Sequence, residues 1–328
     1  MEFLDKYWKK NHILSVDKHL FLYEFQDKEK LNFAIAQDAQ NEIIGLFGFI
    51  KYNFLKIPDL AGSLWKVRDD CTVPLLGLKL RDFVIKNVPH RFFAAPGAGI
   101  QTKPIYQIIK MNWNRMEQYF LVNDTIDEYK VLKTRDKSIL KTYKAFHESN
   151  DVVIELAKDI SELQSFVFDD FKEIVPFKDL KYIEKRFVNY PIYKYDIYTV
   201  KKSGLISNIF ICRTAAYLDR KVYRIVDFYG DERNMGYITN FLYKYIVDNH
   251  YEYCDFISYG FEDIHMLNAG FDRLDFESED IIVPNFFEPF VQKNISVFCV
   301  SDKTDGLKFR QCKADGDQDR PNYVSSKI

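Results

Sequence analysis

Two carboxylates stand side by side at Asp69 and Asp70. Neighbouring acids can raise each other's pKa, which suits a group that must take up a proton near neutral pH; a solvated turn is the other reading of the pair. His12, between Asn11 and an apolar run, is a second proton-transfer candidate because imidazole titrates near neutrality, and a structural histidine is its alternative. The other histidines (19, 90, 147, 250 and 265) show no ligand spacing, and the five cysteines (71, 212, 254, 299 and 312) form no C-x-x-C pair. Neither a metal site nor a disulfide frame is expected. Between Arg68 and Lys79 the chain turns from an apolar run into a helical period, with Gly77 in its first turns. A helix start following a strand is an anion site, because unpaired N–H groups and the helix dipole point the same way.

The elements that must position these residues follow from periodicity. Residues 60–67 read as a strand, broken by the polar turn 68–72. Residues 73–87 read as a helix with Val73, Leu76, Leu80, Phe83 and Val84 on one stripe and Pro74 near its first position. A second strand at 90–96 and a helix at 102–111 follow. Ahead of this unit lie a short helix at 3–10 and a hairpin of 31–37 with 42–52; after it comes a strand at 115–123. From residue 152 the order begins again: a strand at 152–156, helices at 160–175 and 180–189, a hairpin at 193–201 and 206–215, and a strand at 221–229. A helix at 234–249, a strand at 253–259, a short helix at 262–269 and terminal strands from 297 complete it. The shared order predicts an internal duplication, an α/β (α+β) protein of two mixed-sheet domains in tandem, residues 1–135 and 136–328.

The 328 residues, 47% of them hydrophobic, can bury a real core. The 29 Phe and 22 Tyr favour sheet-rich cores and Tyr-lined clefts, with AT-rich coding as an equal explanation. A net charge of −2 without long basic blocks gives no nucleic-acid footprint. There is no apolar run of about 18 residues to span a membrane and no signal-peptide pattern at the N-terminus, so a cytoplasmic location is the default. Monomer and homodimer both stay open. The polar segment 313–322 is turn-rich and hard to justify as core.

The order of elements resembles the GNAT superfamily of acyl-CoA N-acyltransferases. The residues that carry the likeness are LWKVRDD at 64–70, LLGLKL at 75–80 and IYQIIKM at 105–111. The usual Q/R-x-x-G-x-G/A motif keeps Gly77 but has Lys79 in its last position. Taken with YWKKNHILSVDKHLF, YRIVDFYGD, IIVPNFFEPF and DGDQDRPN, the chain is similar to tandem-GNAT sugar N-acyltransferases of bacterial surface-polysaccharide synthesis (O-antigen, capsule or S-layer glycan). That resemblance implies transfer from acyl-CoA to the amine of a nucleotide-linked sugar, such as a dTDP-amino-dideoxyhexose, by direct attack on the thioester and without a metal. It further implies that backbone at Val67 and Arg68 holds the thioester carbonyl and that Leu75, Gly77, Leu78 and Lys79 cradle the pyrophosphate. Tyr106 would protonate the leaving thiolate, with Asp69, Asp70 or His12 as base. The equivalent turn of the second half, 229–233, is acidic, so one acyl-CoA per chain is expected. Arg213, Arg224, Asp317, Asp319 and Arg320 would shape the acceptor site, and Tyr190, Tyr193 and Tyr195 would stack on a nucleobase. Peptidoglycan-type aminoacyl transferases using charged tRNA, and a non-catalytic tandem-GNAT binding protein, are the alternatives.

Overall fold

Long apolar strands punctuated by glycine build the first sheet of the computed structural model, which describes residues 1–145, 151–316 and 319–323. Its order is Phe33–Gln37, Ile43–Lys51, Asp59–Val67, Phe92–Pro96, Phe298–Ser301 and Asn112–Arg115. The second sheet runs Val152–Leu156, Asp196–Lys202, Leu205–Tyr217, Arg220–Gly230, Tyr253–Tyr259, Glu117–Val122 and Asp272–Arg273. Both sheets are mixed, each with one parallel pair near its middle. His147 and Asp317 lie outside the described residues.

The sheets do not divide where the two chain halves do. Residues 115–123, expected as one strand, are two: Asn112–Arg115 stays in the first sheet, and Glu117–Val122 crosses to pair with Tyr253–Tyr259 of the second. Met116, 1% exposed, is the crossing point, its N–H donating to the Val297 carbonyl at 2.8 Å. In return, Phe298–Ser301 inserts between Phe92–Pro96 and Asn112–Arg115. The largest apolar cluster follows this exchange, joining Leu4, Phe25, Ile50 and Ala94 to Ile183, Ile209, Ile257 and Phe309. The two sheets therefore share one core.

Three other expectations are corrected. The helix expected from residue 73 starts at Leu76: Leu75 takes φ +56°, which no right-handed helix accommodates, and Val73 and Phe83 end exposed while Leu80 and Val84 are buried. Residues 160–175 form no α-helix; two 3₁₀ turns, Ile160–Leu163 and Phe168–Phe171, and the short strand Ile174–Val175 replace it. Their apolar residues face one shared core, with Leu163, Phe166 and Val175 all buried. The polar tail is core rather than surface: Lys313, Ala314, Asp315, Asp319 and Arg320 are all buried.

Buried charge survives there mainly by pairing; Lys313, which among the described residues bonds the Asn285 carbonyl and makes no ion pair, has its pKa lowered by burial to about 7. Lys178 bonds Asp227 and, at 2.9 Å, Asp315. Burial alone would discharge this lysine, but the two carboxylates outweigh it and hold its pKa above the usual value. Arg224 forks onto Asp255 at 2.8 and 2.7 Å and donates to the Asn285 and Pro284 carbonyls. Removing one member strands the rest, at a cost of about 3–5 kcal/mol. We therefore expect Lys178→Ala to lower the unfolding free energy by about 3–5 kcal/mol in a denaturant titration. A loss under 1 kcal/mol would show that the carboxylates do not depend on it.

Candidate active site

Strand pairing fixes where the cleft opens. Asp59–Val67 and Phe92–Pro96 run parallel and pair only at Asp59–Phe92, Leu60–Phe93 and Ala61–Ala94, after which they diverge. On its other edge, Asp59–Val67 bulges: Phe47 faces Trp65 and Phe49 faces Gly62, leaving Ser63 and Leu64 opposite Gly48 alone. A bulge frees backbone from the ladder and re-aims it. A Cβ on Gly62 would come within 2.8 Å of the Phe93 ring, so only glycine fits that approach.

The resulting cleft holds about 170 Å³ and is walled by Ser63, Leu64, Trp65, the Gly97–Gly99 backbone, Tyr106 and Arg320. Trp65 stands edge-on to Phe47 and Tyr106, with ring centroids 5.5 and 5.9 Å away. Gly77, in the first turn of Leu76–Asn87, packs on the other side of this indole; a Cβ there would meet Trp65 Nε1 at 2.9 Å. Gly77 thus brings the helix start against the cleft. That helix has no side-chain cap, which leaves its first-turn N–H groups for another acceptor. Lys79 is exposed and, among the described residues, makes no ion pair. Tyr106 is 5% exposed, and burial pushes its phenol up to about 12. It is therefore protonated at neutral pH and able to donate.

The other expected residues fall elsewhere. Arg68 gives its N–H to the Ile44 carbonyl at 2.9 Å, so that amide is already paired. Its guanidinium forks onto Asp70 at 2.9 and 2.6 Å, and Asp69 pairs with Lys66 at 2.5 Å. Asp69 and Asp70 both lie on the exposed turn, outside the cleft wall. The Arg68 side chain holds the Asp70 carboxyl below its usual range, the opposite of what a base needs. His12 caps Ile13–Val16: its Nδ1 accepts from the Leu14 N–H at 3.2 Å and its Nε2 lies 3.3 Å from Asn322 Oδ1. Burial, aided by Lys9, lowers its pKa to about 4. The Asp70 and His12 environments thus oppose the base role expected of each.

On the acceptor side, Arg224 is a buried strut, not a binding group, because all its donors facing Asp255 and the two carbonyls are engaged. Arg213 is held by Asp319 at 2.8 Å and lies over the Tyr193 ring at 4.1 Å. Asp319 also accepts from the Tyr195 hydroxyl at 2.8 Å. This network uses Tyr193 and Tyr195 as its walls. Among the described residues of the expected acceptor set, Arg320 alone reaches the cleft: its Nη1 lies 3.5 Å from Ser63 Oγ and its Nε 3.1 Å from Glu24. Sequence reasoning passed over the Ser63–Leu64 bulge, Trp8 at the rim and Glu24. Glycines 45, 48 and 62 inside strands were the available signal, since glycine within a strand marks a bulge or a close approach.

The second sheet repeats the divergence but not the cleft. Arg220–Gly230 and Tyr253–Tyr259 pair in parallel only from Tyr223 to Ile225. Beyond that point, Gln311–Cys312 pairs with Ser258 and Tyr259, and Lys178 joins Asp227 to Asp315 across the gap.

No protein-family model matches the chain, and no curated protein matches it in sequence. Solved structures do match in fold. The crystal structure of a GCN5-related N-acetyltransferase from Anabaena variabilis ATCC 29413 overlaps with a TM-score of 0.55 at 7% identity, covering 92% of this chain and 68% of that one. A conserved protein from Enterococcus faecalis V583, described as a probable N-acyltransferase, overlaps with a TM-score of 0.47 at 11% identity, over 79% of this chain and 59% of its own. The architecture is a tandem GNAT-like fold.

The His12 geometry carries a pH dependence. Its folded pKa of about 4 lies below the unfolded value of about 6.5. The unfolded chain therefore binds the proton first, and this contribution to stability is full above pH 6.5 and lost as pH falls towards 4. His12→Asn keeps a capping acceptor and removes the titration. Compared by urea melts at pH 7.5 and 5, the wild type is expected to lose about 1–2 kcal/mol more than the variant. Equal losses would remove His12 as the cause.

Proposed function

We propose that the chain is an acyl-CoA-dependent N-acyltransferase whose acceptor is the amine of a nucleotide-linked sugar, a dTDP-amino-dideoxyhexose being the first candidate. The observation that carries the reading is the first cleft: a bulged strand edge and a buried protonated phenol share one opening, and an uncapped helix start packs against the far side of its Trp65 wall. The fold of the Anabaena acetyltransferase supports acyl transfer; the sugar acceptor rests on the segments that resemble the polysaccharide enzymes.

In this reading the first-turn N–H groups at Leu76, Gly77 and Leu78 take the pyrophosphate, with Lys79 adding charge. Backbone freed at Ser63 and Leu64 holds the thioester carbonyl, replacing the role first given to Val67 and Arg68. The amine nitrogen bonds to the carbonyl carbon, the carbon–sulfur bond breaks, and the amine gives up one proton. Tyr106 delivers a proton to the sulfur leaving as thiolate. Positioning the two reactants supplies most of the acceleration, as much as about 7–11 kcal/mol for a well-oriented pair. The filled splay of the second sheet favours one acyl-CoA per chain.

Thiol release with acetyl- or hydroxyacyl-CoA against a panel of nucleotide amino sugars tests this. Turnover with at least one pair and donor binding by calorimetry are expected; neither with any pair would sink the reading. Tyr106→Phe is expected to lower kcat about 100-fold while acyl-CoA KM stays within twofold. An unchanged kcat would take the proton-donor role from Tyr106.

A further inference from the structure

The turn that leads into Asp59–Val67 presents its apolar side chains to solvent. Phe54, Leu55 and Ile57 are 43%, 44% and 51% exposed, with exposed Lys56 between them. Among the described residues no other stretch of four exposes three large apolar side chains. Contiguous exposed apolar surface marks an interaction site, whereas single exposed residues do not. The turn is also held in place. Asp179 accepts from the Phe54 N–H at 3.0 Å. Asn53, fully buried, accepts from the Leu55 N–H at 3.3 Å and donates to the Phe177 carbonyl at 2.9 Å. The amides of Phe54 and Leu55 are thus satisfied from within the chain, so these side chains can enter an apolar medium without taking unpaired N–H groups along.

Lysines surround the turn. Phe54 shares an open groove with Lys28, Lys181 and Lys185. Across Lys28 a second open groove is walled by Lys30, Leu31 and Phe83, with Leu31 and Phe83 both exposed. Among the described residues Lys28, Lys30, Lys56, Lys181 and Lys185 make no ion pair; the paired lysines are others. The acids facing them are Glu29 and Glu184, while Asp27 is already taken by Lys51. A chain of net charge −2 therefore carries a local basic excess around this apolar turn.

The two features together narrow the partner. A twofold contact between copies would set the lysines of one against those of the other. A soluble polyanion would leave Phe54, Leu55 and Ile57 in water. An anionic lipid surface answers both, with acyl chains for the apolar tips and headgroups for the ammonium groups.

We propose that this face docks on the surface of an anionic phospholipid membrane. Phe54, Leu55 and Ile57 sink below the headgroups, and Lys56 between them extends its ammonium back to the phosphates. Lys28, Lys181 and Lys185 meet the headgroups around the turn. Attachment is peripheral, because among the described residues no helix is long and apolar enough to cross a membrane. The turn precedes Asp59–Val67, whereas the cleft opens beyond Ala61, towards the other end of that strand. The docked chain thus keeps its cleft towards water. The inference stands apart from the acyl-transfer reading, since it uses none of the cleft residues.

Sedimentation of the full chain with vesicles tests it, comparing pure phosphatidylcholine with an equal mixture of phosphatidylcholine and phosphatidylglycerol. Binding to the mixed vesicles is expected to be tighter by about tenfold or more. F54S/L55S/I57S is expected to abolish it, and K56E/K181E to weaken it by about tenfold or more. All five side chains are exposed, so both variants are expected to keep the wild-type melting temperature. No binding to the mixed vesicles, equal binding to both compositions, or undiminished binding by F54S/L55S/I57S overturns the proposal. A wild-type dimer in light scattering that F54S/L55S/I57S converts to monomer also overturns it, because the turn is then a subunit contact. No arm uses acyl-CoA or turnover, so failure here leaves the transfer reading as it stands.

Discussion

One buried ammonium between two carboxylates holds this architecture together. Lys178 reaches from the segment after Val175 to Asp227 on the second sheet and Asp315 on the tail, so three distant pieces of chain meet at one charge. Asp227, Cys312 and Asp315 lie close enough to resemble a metal-ligand set, and the lysine nitrogen supplies the cation there. The arrangement fixes the tail inside the second sheet's divergence. From there the tail runs on past Pro96, where a Cβ on Gly316 would sit 2.8 Å from the proline ring, and delivers Arg320 to the first cleft. The filling of one divergence and the furnishing of the other are thus a single structural event.

That asymmetry decides what a fold of two similar sheets can do. Both sheets part after three parallel pairs, so the geometry alone would open two clefts. In the second, Lys178 and the Gln311–Cys312 strand occupy the gap, leaving a smaller apolar cavity beside Tyr229 and Phe261. The second sheet becomes a scaffold whose charged residues face inward to each other: Arg224 with Asp255, Arg213 with Asp319. Residues that look like ligand-binding arginines in a linear reading are absorbed by these pairs.

The sequence revealed much of the fold through its periods: most strands, the helix at 234–249 and the β-α-β-α unit around the cleft lie where alternation and turn residues put them. Its failures have physical causes. The helix start at 73 was misjudged because Leu75 adopts a left-handed conformation that its type does not advertise. The tail was misjudged because burial of charge depends on distant partners, such as Lys178 for Asp315, 137 residues away, which no local pattern encodes. Tyr106, named from the sequence, lines the cleft; Ser63 and Leu64 line it too but were not named, because a bulge is a property of two strands. Glu24 stayed hidden inside an apolar helix face, where a lone acid reads as ordinary surface.

The exchange at Met116 also sets an order in time. On the ribosome, Asn112–Arg115 is made long before its neighbour Phe298–Ser301 exists. At about 5–20 residues per second the intervening chain takes roughly 10–40 s to emerge. Throughout that interval the Phe92–Pro96 edge of the first sheet stands unpaired, and for most of it Glu117–Val122 waits for Tyr253–Tyr259. Strand edges left open in this way invite wrong partners. The chain therefore depends on holding its first half in a productive, incomplete state until Phe298–Ser301 arrives, and a nascent-chain chaperone would meet the edges that the folded protein hides.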